Sequence, residues 1–96
     1  MVDQVVWSRK AVEDVDAIAT YIGRDSASYA AAVVQKILNV TQALSQSHHQ
    51  GEAIAEFGDP TLREKYAYCY RIVYRHQENK ITIAAVVHDQ KLLQFQ

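Results

Sequence analysis

Apolar residues recur along this chain with two different periods, and the place where the period changes divides it into a helical half and a sheet half. Ala11, Val12, Val15, Ile18, Ala19 and Ile22 recur at helical spacing, while Glu13, Asp14, Asp16 and Thr20 take the other side. Just before them, Gln4-Val5-Val6-Trp7 reads as a short strand of β-formers. Ser8 is placed to cap the helix by accepting from an orphan amide, and Gly23 ends it. Asp25 and Ser26 can cap a second helix, whose apolar stripe is Tyr29, Ala30, Val33, Ile37, Val40 and Leu44. A connection of a few residues between two amphipathic helices predicts an antiparallel helical hairpin. The run Ala30-Ala31-Ala32 lets the two backbones approach closely.

From Ser45 to Pro60 no period is sustained, and the only proline falls there, so the stretch reads as a loop with a short strand near Ala53–Phe57. Alternation of period two follows. Leu62–Ala67 and Cys69–His76 read as strands joined by a tight bend, or as one long bent strand. Tyr70, Ile72 and Tyr74 then share one face and Arg71, Val73 and Arg75 the other, because successive strand side chains point oppositely. Gln77-Glu78-Asn79-Lys80 is a polar turn, and Ile81–Val87 is apolar on both faces, as suits a central strand covered by helices on one side. The order β-α-α-β-β-β predicts an α+β fold, an N-terminal helical hairpin packed on a small antiparallel sheet.

A length of 96 residues suits one domain over 1–96 with one modest core. Size scaling gives such a core roughly 60–65% of the unfolded surface to hide. The lone cysteine, Cys69, has no internal disulfide partner, and the N-terminus lacks a signal-peptide layout, so a cytosolic protein is expected. No run reaches transmembrane length. The net charge of −1 hides an asymmetry: residues 1–60 carry four basic side chains against eight acidic, and residues 61–96 carry six against three. Positive charge therefore gathers on the sheet half, where an acidic peptide or a polyanion would be met. A pI near 6.4 nevertheless argues against a protein that lives by nonspecific phosphate contacts.

Candidate chemistry concentrates between Arg63 and His88, where arginines alternate with tyrosines. Arg71 is suited to clamp a phosphate and His88 to serve as acid or base, with a tyrosine or Lys91 assisting. Each has a plainer reading. Arg71 beside Glu64 makes a cross-strand ion pair, and His88 is a hydrogen-bonded strand end. Tyr66, Tyr68, Tyr70 and Tyr74 are core and sheet-surface aromatics, and Cys69 is a small buried hydrophobe. His48-His49 with Cys69 or His76 matches no ligand spacing, so neither metal nor cofactor is expected.

Taken in order, these residues form a familiar series. Val6-Trp7-Ser8 with Ala11 and Asp14, then Ile18, Tyr21-Ile22 and Asp25-Ser26, resemble the start of ParE-type toxins. Glu56, Arg63-Glu64, Tyr70-Arg71-Ile72-Val73-Tyr74 and Val87-His88 are similar to the second half of the RelE/ParE superfamily. The likeness spans nearly the whole chain. It implies the toxin of a type II toxin–antitoxin pair, of the kind that serves plasmid stabilisation, held inactive by an antitoxin segment wrapped around sheet and helices. Two departures remove positive charge: Glu52 stands where the family often has arginine, and Asp89-Gln90 follows the last strand, with Lys91 arriving late.

The superfamily divides between two mechanisms. Metal-free RNA cleavage needs a base, an acid and cations on the scissile phosphate, each positioned acid or base being worth ~10²–10⁴-fold. The ParE branch inhibits DNA gyrase by binding, which needs a shaped interface instead. A near-neutral chain suits that branch, so the resemblance implies growth inhibition by gyrase binding. The alternative is a RelE-type, ribosome-dependent mRNA endoribonuclease using Arg71 and His88, and a third reading is an inactive partner-binding member. The expected target- or antitoxin-binding residues are Arg63, Glu64, Arg71, Arg75, His88 and Lys91. The expected assembly is a homodimer or a hetero-oligomer with the antitoxin.

Overall fold

The computed structural model describes residues 3–47, 52–54 and 61–89. Its elements are β1 (Gln4–Trp7), α1 (Arg9–Gly23), α2 (Ala27–Ser47), β2 (Glu52–Ala53), β3 (Leu62–Ala67), β4 (Tyr70–Gln77) and β5 (Lys80–His88). Ser8 caps α1 as its sequence position predicts: its Oγ accepts from the Ala11 amide at 3.0 Å. Ser26 does the same for α2 through the Tyr29 amide, at 3.1 Å. The strands form one sheet in the order β1-β5-β4-β3-β2, so the helical hairpin carries the chain from β1 at one edge to β2 at the other, and the first and last strands lie side by side. The sheet is antiparallel except at that junction, where β1 runs parallel to β5. Four-residue β1 extends the hairpin ladder on the side where β5 would otherwise end the sheet.

The core lies between hairpin and sheet. Ala11, Val33, Ile37 and Leu44 of the helices meet Ile72, Tyr74, Ile81, Ile83 and Val86, with Val5, Trp7, Val15, Ile18 and Ile22 packed around them. Tyr70, Ile72 and Tyr74 therefore share the helix-facing side, as alternation predicts. A smaller cluster of Ile54, Val73 and Ala85 with Leu62, Ala84 and Val87 occupies the other face. Asp3, itself buried, fastens the start of β1. Its amide donates to the Ser45 carbonyl at 3.1 Å and its carboxylate meets His76 Nε2 at 3.1 Å.

Three expectations change. Val12 and Tyr29, assigned to apolar stripes, are each 53% exposed. Their stripes are wider than the arc the sheet covers, so the marginal positions face outward. Cys69, expected inside a strand and buried, instead sits half-buried in the two-residue turn between β3 and β4, with Tyr68 at φ 55° beside it. The other tight turn, Glu78-Asn79, has both residues at positive φ, the backbone that a right-twisted two-residue hairpin demands. The short strand expected near Ala53–Phe57 begins one residue earlier, at Glu52; residues beyond Ile54, including Glu56, lie outside the described residues. His48 and His49 lie outside them too.

One irregularity governs what β5 presents. The ladder between β4 and β5 shifts after Val73, which pairs with Ala85 while Tyr74 pairs with Ile83, so Ala84 is an extra residue. Side chains of α1 and of its N-cap hold this bulge just where β1 has stopped. Ser8 Oγ donates to the Ala84 carbonyl at 3.0 Å, and Asp14 Oδ2 accepts from the Val86 amide at 2.9 Å.

Candidate functional site

The bulge sorts the sequence-selected residues onto two faces. Directly paired residues share a face, so Arg71 opposite Val87 and Tyr66 points away from the helices. Tyr70 opposite His88 points toward them. Strict alternation from Ile83 would have set His88 on the Arg71 side, and the extra residue at Ala84 reverses it. The two residues chosen for phosphate clamping and proton transfer thus lie on opposite sides of the sheet.

On the outer face, Arg71 is 7% exposed and closes on Glu64. Its Nε donates to Oε1 at 2.6 Å, and Nη2 approaches the same oxygen at 2.6 Å. A pair this buried is held by charge-assisted hydrogen bonds, which are shorter and stronger than neutral ones. Glu52 faces Glu64 across β2 and β3, so two carboxylates stand opposite one another and Arg71 offsets one of them. Arg75, exposed on the same face, donates from Nε to Thr61 Oγ1 at 3.1 Å. Tyr66 extends the surface and is 51% exposed.

On the inner side His88 packs edge-on to Tyr70, ring centroids 5.7 Å apart, and its Nδ1 lies 3.2 Å from Asp89. A cleft there is walled by Lys10, Asp14 and Tyr21 of α1 and by Tyr70, Val86 and His88 of the sheet. Lys10 spans Asp14 at 3.0 Å. Burial raises the Tyr70 phenol above the ordinary tyrosine range, and negative charge developing on Cys69, Tyr29 and Tyr21 raises it further. These groups therefore form one neighbourhood at the end where the helical turn meets the β3–β4 turn. Arg63, paired with Tyr74, is turned to the helix side of β3, and Lys91 lies outside the described residues.

The arrangement offers a charged, tyrosine-bearing outer face and a separate aromatic cleft, and not one pocket that gathers a cation, an acid and a base. Among the described residues no cluster of His, Cys, Asp and Glu is arranged to hold a metal ion, and no helix is long and apolar enough to cross a membrane. A third feature escaped the sequence reading: an open apolar groove of about 460 Å³ lined by Trp7, Val12, Val15, Asp16, Ala19, Val34 and Leu38. Its signal was present in the sequence as apolar stripes wider than one buried face.

Hairpin, mixed sheet and faces together define a small α+β fold shared with a solved chain from the chromosomal ParDE TA system of P. aeruginosa. The TM-score is 0.74 at 24% identity, covering 91% of this chain and 96% of that one. Residues 5–93 match the model of the ParE toxin of the type II toxin–antitoxin system parDE, and the chain belongs to that family. No curated protein sequence matches it.

Proposed function

We propose that this protein inhibits growth by binding DNA gyrase and is neutralised by a cognate antitoxin. The family supplies the framework of a type II toxin–antitoxin module. The observation that favours binding over RNA cleavage is the separation of Arg71 from His88 by the thickness of the sheet. A nuclease must bring its cation and its proton-transfer group onto one phosphate, and misplacement by even ~1 Å costs ~10²-fold. Arg71 is moreover engaged by Glu64, a geometry that shapes a surface. The outer face, with Glu64, Arg71 and Arg75, is the proposed contact with the target. His88 belongs to the other side. An antitoxin partner is supported by the similarity to a chain of a ParDE system.

Induction of the chain alone in a bacterial host tests this. Filamentation with an SOS response is expected, and His88→Ala retains it. Discrete cuts in ribosome-bound mRNA that vanish in both Arg71→Ala and His88→Ala would transfer the function to the endoribonuclease alternative.

A further inference from the structure

Ala11, Val15, Ile18 and Ile22 of α1 pack into the core. Beside them Lys10, Asp14, Ala17 and Tyr21 recur at alternating steps of four and three residues, and so lie along one side of the helix. This stripe is one wall of the aromatic cleft, and Tyr70, Val86 and His88 stand on the other. The cleft measures about 520 Å³. Small-molecule sites commonly fall at ~300–1,000 Å³.

The sheet wall owes its form to the bulge. The extra residue at Ala84 turns His88 to the helix side, and Asp14, itself in the cleft, holds the strand there by accepting from the Val86 amide at 2.9 Å. Bulges beside functional sites re-aim side chains in this way. The rings of Tyr70 and His88 then meet at 83° with centroids 5.7 Å apart, which makes an aromatic corner. A planar ligand stacked on one ring meets the other edge-on, and aromatic rings favour both arrangements. Tyr21, 71% exposed, brings a third ring from α1. Among the described residues the Tyr21 and Tyr70 hydroxyls make no hydrogen bond.

The charges in the cleft cancel. Lys10 Nζ lies 3.1 and 3.0 Å from the two carboxylate oxygens of Asp14, so a donor and an acceptor stand side by side without net charge. That pair matches the edge of a nucleobase, where an N–H group neighbours a carbonyl or ring-nitrogen acceptor. A phosphate would meet the Asp14 carboxylate as well as Lys10, and a hydrocarbon ring would leave both polar groups unused. We propose that the cleft binds an unpaired nucleobase, stacked in the Tyr21–Tyr70–His88 corner with its polar edge toward Lys10 and Asp14. Sugar and phosphate remain in solvent. Stacking suits a chain of net charge −1, which lacks the basic surface that phosphate contacts demand. The base belongs to a free nucleotide or to a single strand, and its chemistry is the same in both. Because the cleft lies across the sheet from Arg71, the inference is independent of the target reading.

The test titrates the full isotope-labelled chain with the ribonucleoside 5′-monophosphates and with single-stranded DNA and RNA oligonucleotides, following backbone amides by NMR. Saturable shifts are expected at Tyr21, Val86 and His88, and not at Val73 or Arg75 on the outer face. Tyr21→Ala, at a position exposed enough to spare the core, should weaken binding roughly 10- to 100-fold, whereas Tyr21→Phe keeps the stacking ring and should cost far less. Lys10→Ala should level the preference among the bases. Raising salt from about 50 to 200 mM should change the affinity little, because the phosphate is not clamped. Tighter binding of an oligonucleotide than of every mononucleotide, at the same amides, identifies a strand as the source; otherwise the source is the free nucleotide. Absence of saturable shifts at the cleft with any of these probes overturns the proposal. So does binding that Tyr21→Ala leaves unchanged, or an affinity that collapses with salt, which would mark a phosphate contact instead. Should Tyr21→Ala fail to fold, the wild-type shifts and their salt dependence still decide.

Discussion

Arg71 carries opposite implications in a nuclease and in a binding protein, and its surroundings separate them. With both partners of its ion pair largely buried, removing one leaves an uncompensated charge. Arg71→Ala should therefore cost about 3 kcal/mol of stability, whereas Arg71→Met combined with Glu64→Leu should cost far less; urea denaturation of the three variants checks this. The sequence placed Arg71 and Glu64 within reach of each other but left open whether the arginine was paired or waiting for phosphate. Burial decides that, and burial depends on neighbours distant in the chain. Glu78 is the converse case: its residue type gives no hint of positive φ, yet the hairpin imposes φ 51° on it. Glu78→Gly should raise stability by up to about 1 kcal/mol, read as a higher urea midpoint. Tyr70 adds a pH signature. Its raised phenol means that the folded state holds this proton more tightly than the unfolded chain does. Its contribution is complete below the ordinary tyrosine pKa and fades as pH rises through the folded value. Phenolate absorbance should show a late-titrating tyrosine that Tyr70→Phe removes.

Helices, strands and their order were legible in the chain because capping residues, Gly23 and the change of period agree with one another. The face that each strand presents was legible for β4 and not for the end of β5. Ile81 to Val87 is apolar on both faces, so nothing in the pattern marks where one residue is skipped. The bulge is set by α1, whose Ser8 and Asp14 bond the backbone of Ala84 and Val86 from the far end of the sequence. Asp14→Ala should leave the Val86 amide unsatisfied and cost about 1–3 kcal/mol, with Asp14→Asn milder because it keeps an acceptor. Protection of the Val86 amide from hydrogen exchange should fall in the alanine variant. The same staple makes Asp14 a positioning residue for His88, two residues further along β5.

Across the molecule, the described basic groups of the second half, Arg63, Lys65, Arg71, Arg75 and Lys80, lie on strands β3 to β5, and the apolar groove lies by the edge strand β1. Two surfaces of different chemistry suit a protein that meets a target and a neutralising partner. The sequence carried the groove only as apolar residues spread wider than one buried face: Val12 stands in the α1 stripe and Leu38 beside the α2 stripe, and both are left outside the core. Action by binding needs no shared Arg71–His88 catalytic centre. Its most direct test is the supercoiling activity of purified DNA gyrase titrated with the wild-type chain and with His88→Ala. Inhibition by both at similar concentrations is expected. Full supercoiling at saturating wild-type protein, together with cleavage of ribosome-bound mRNA that His88→Ala abolishes, would contradict it.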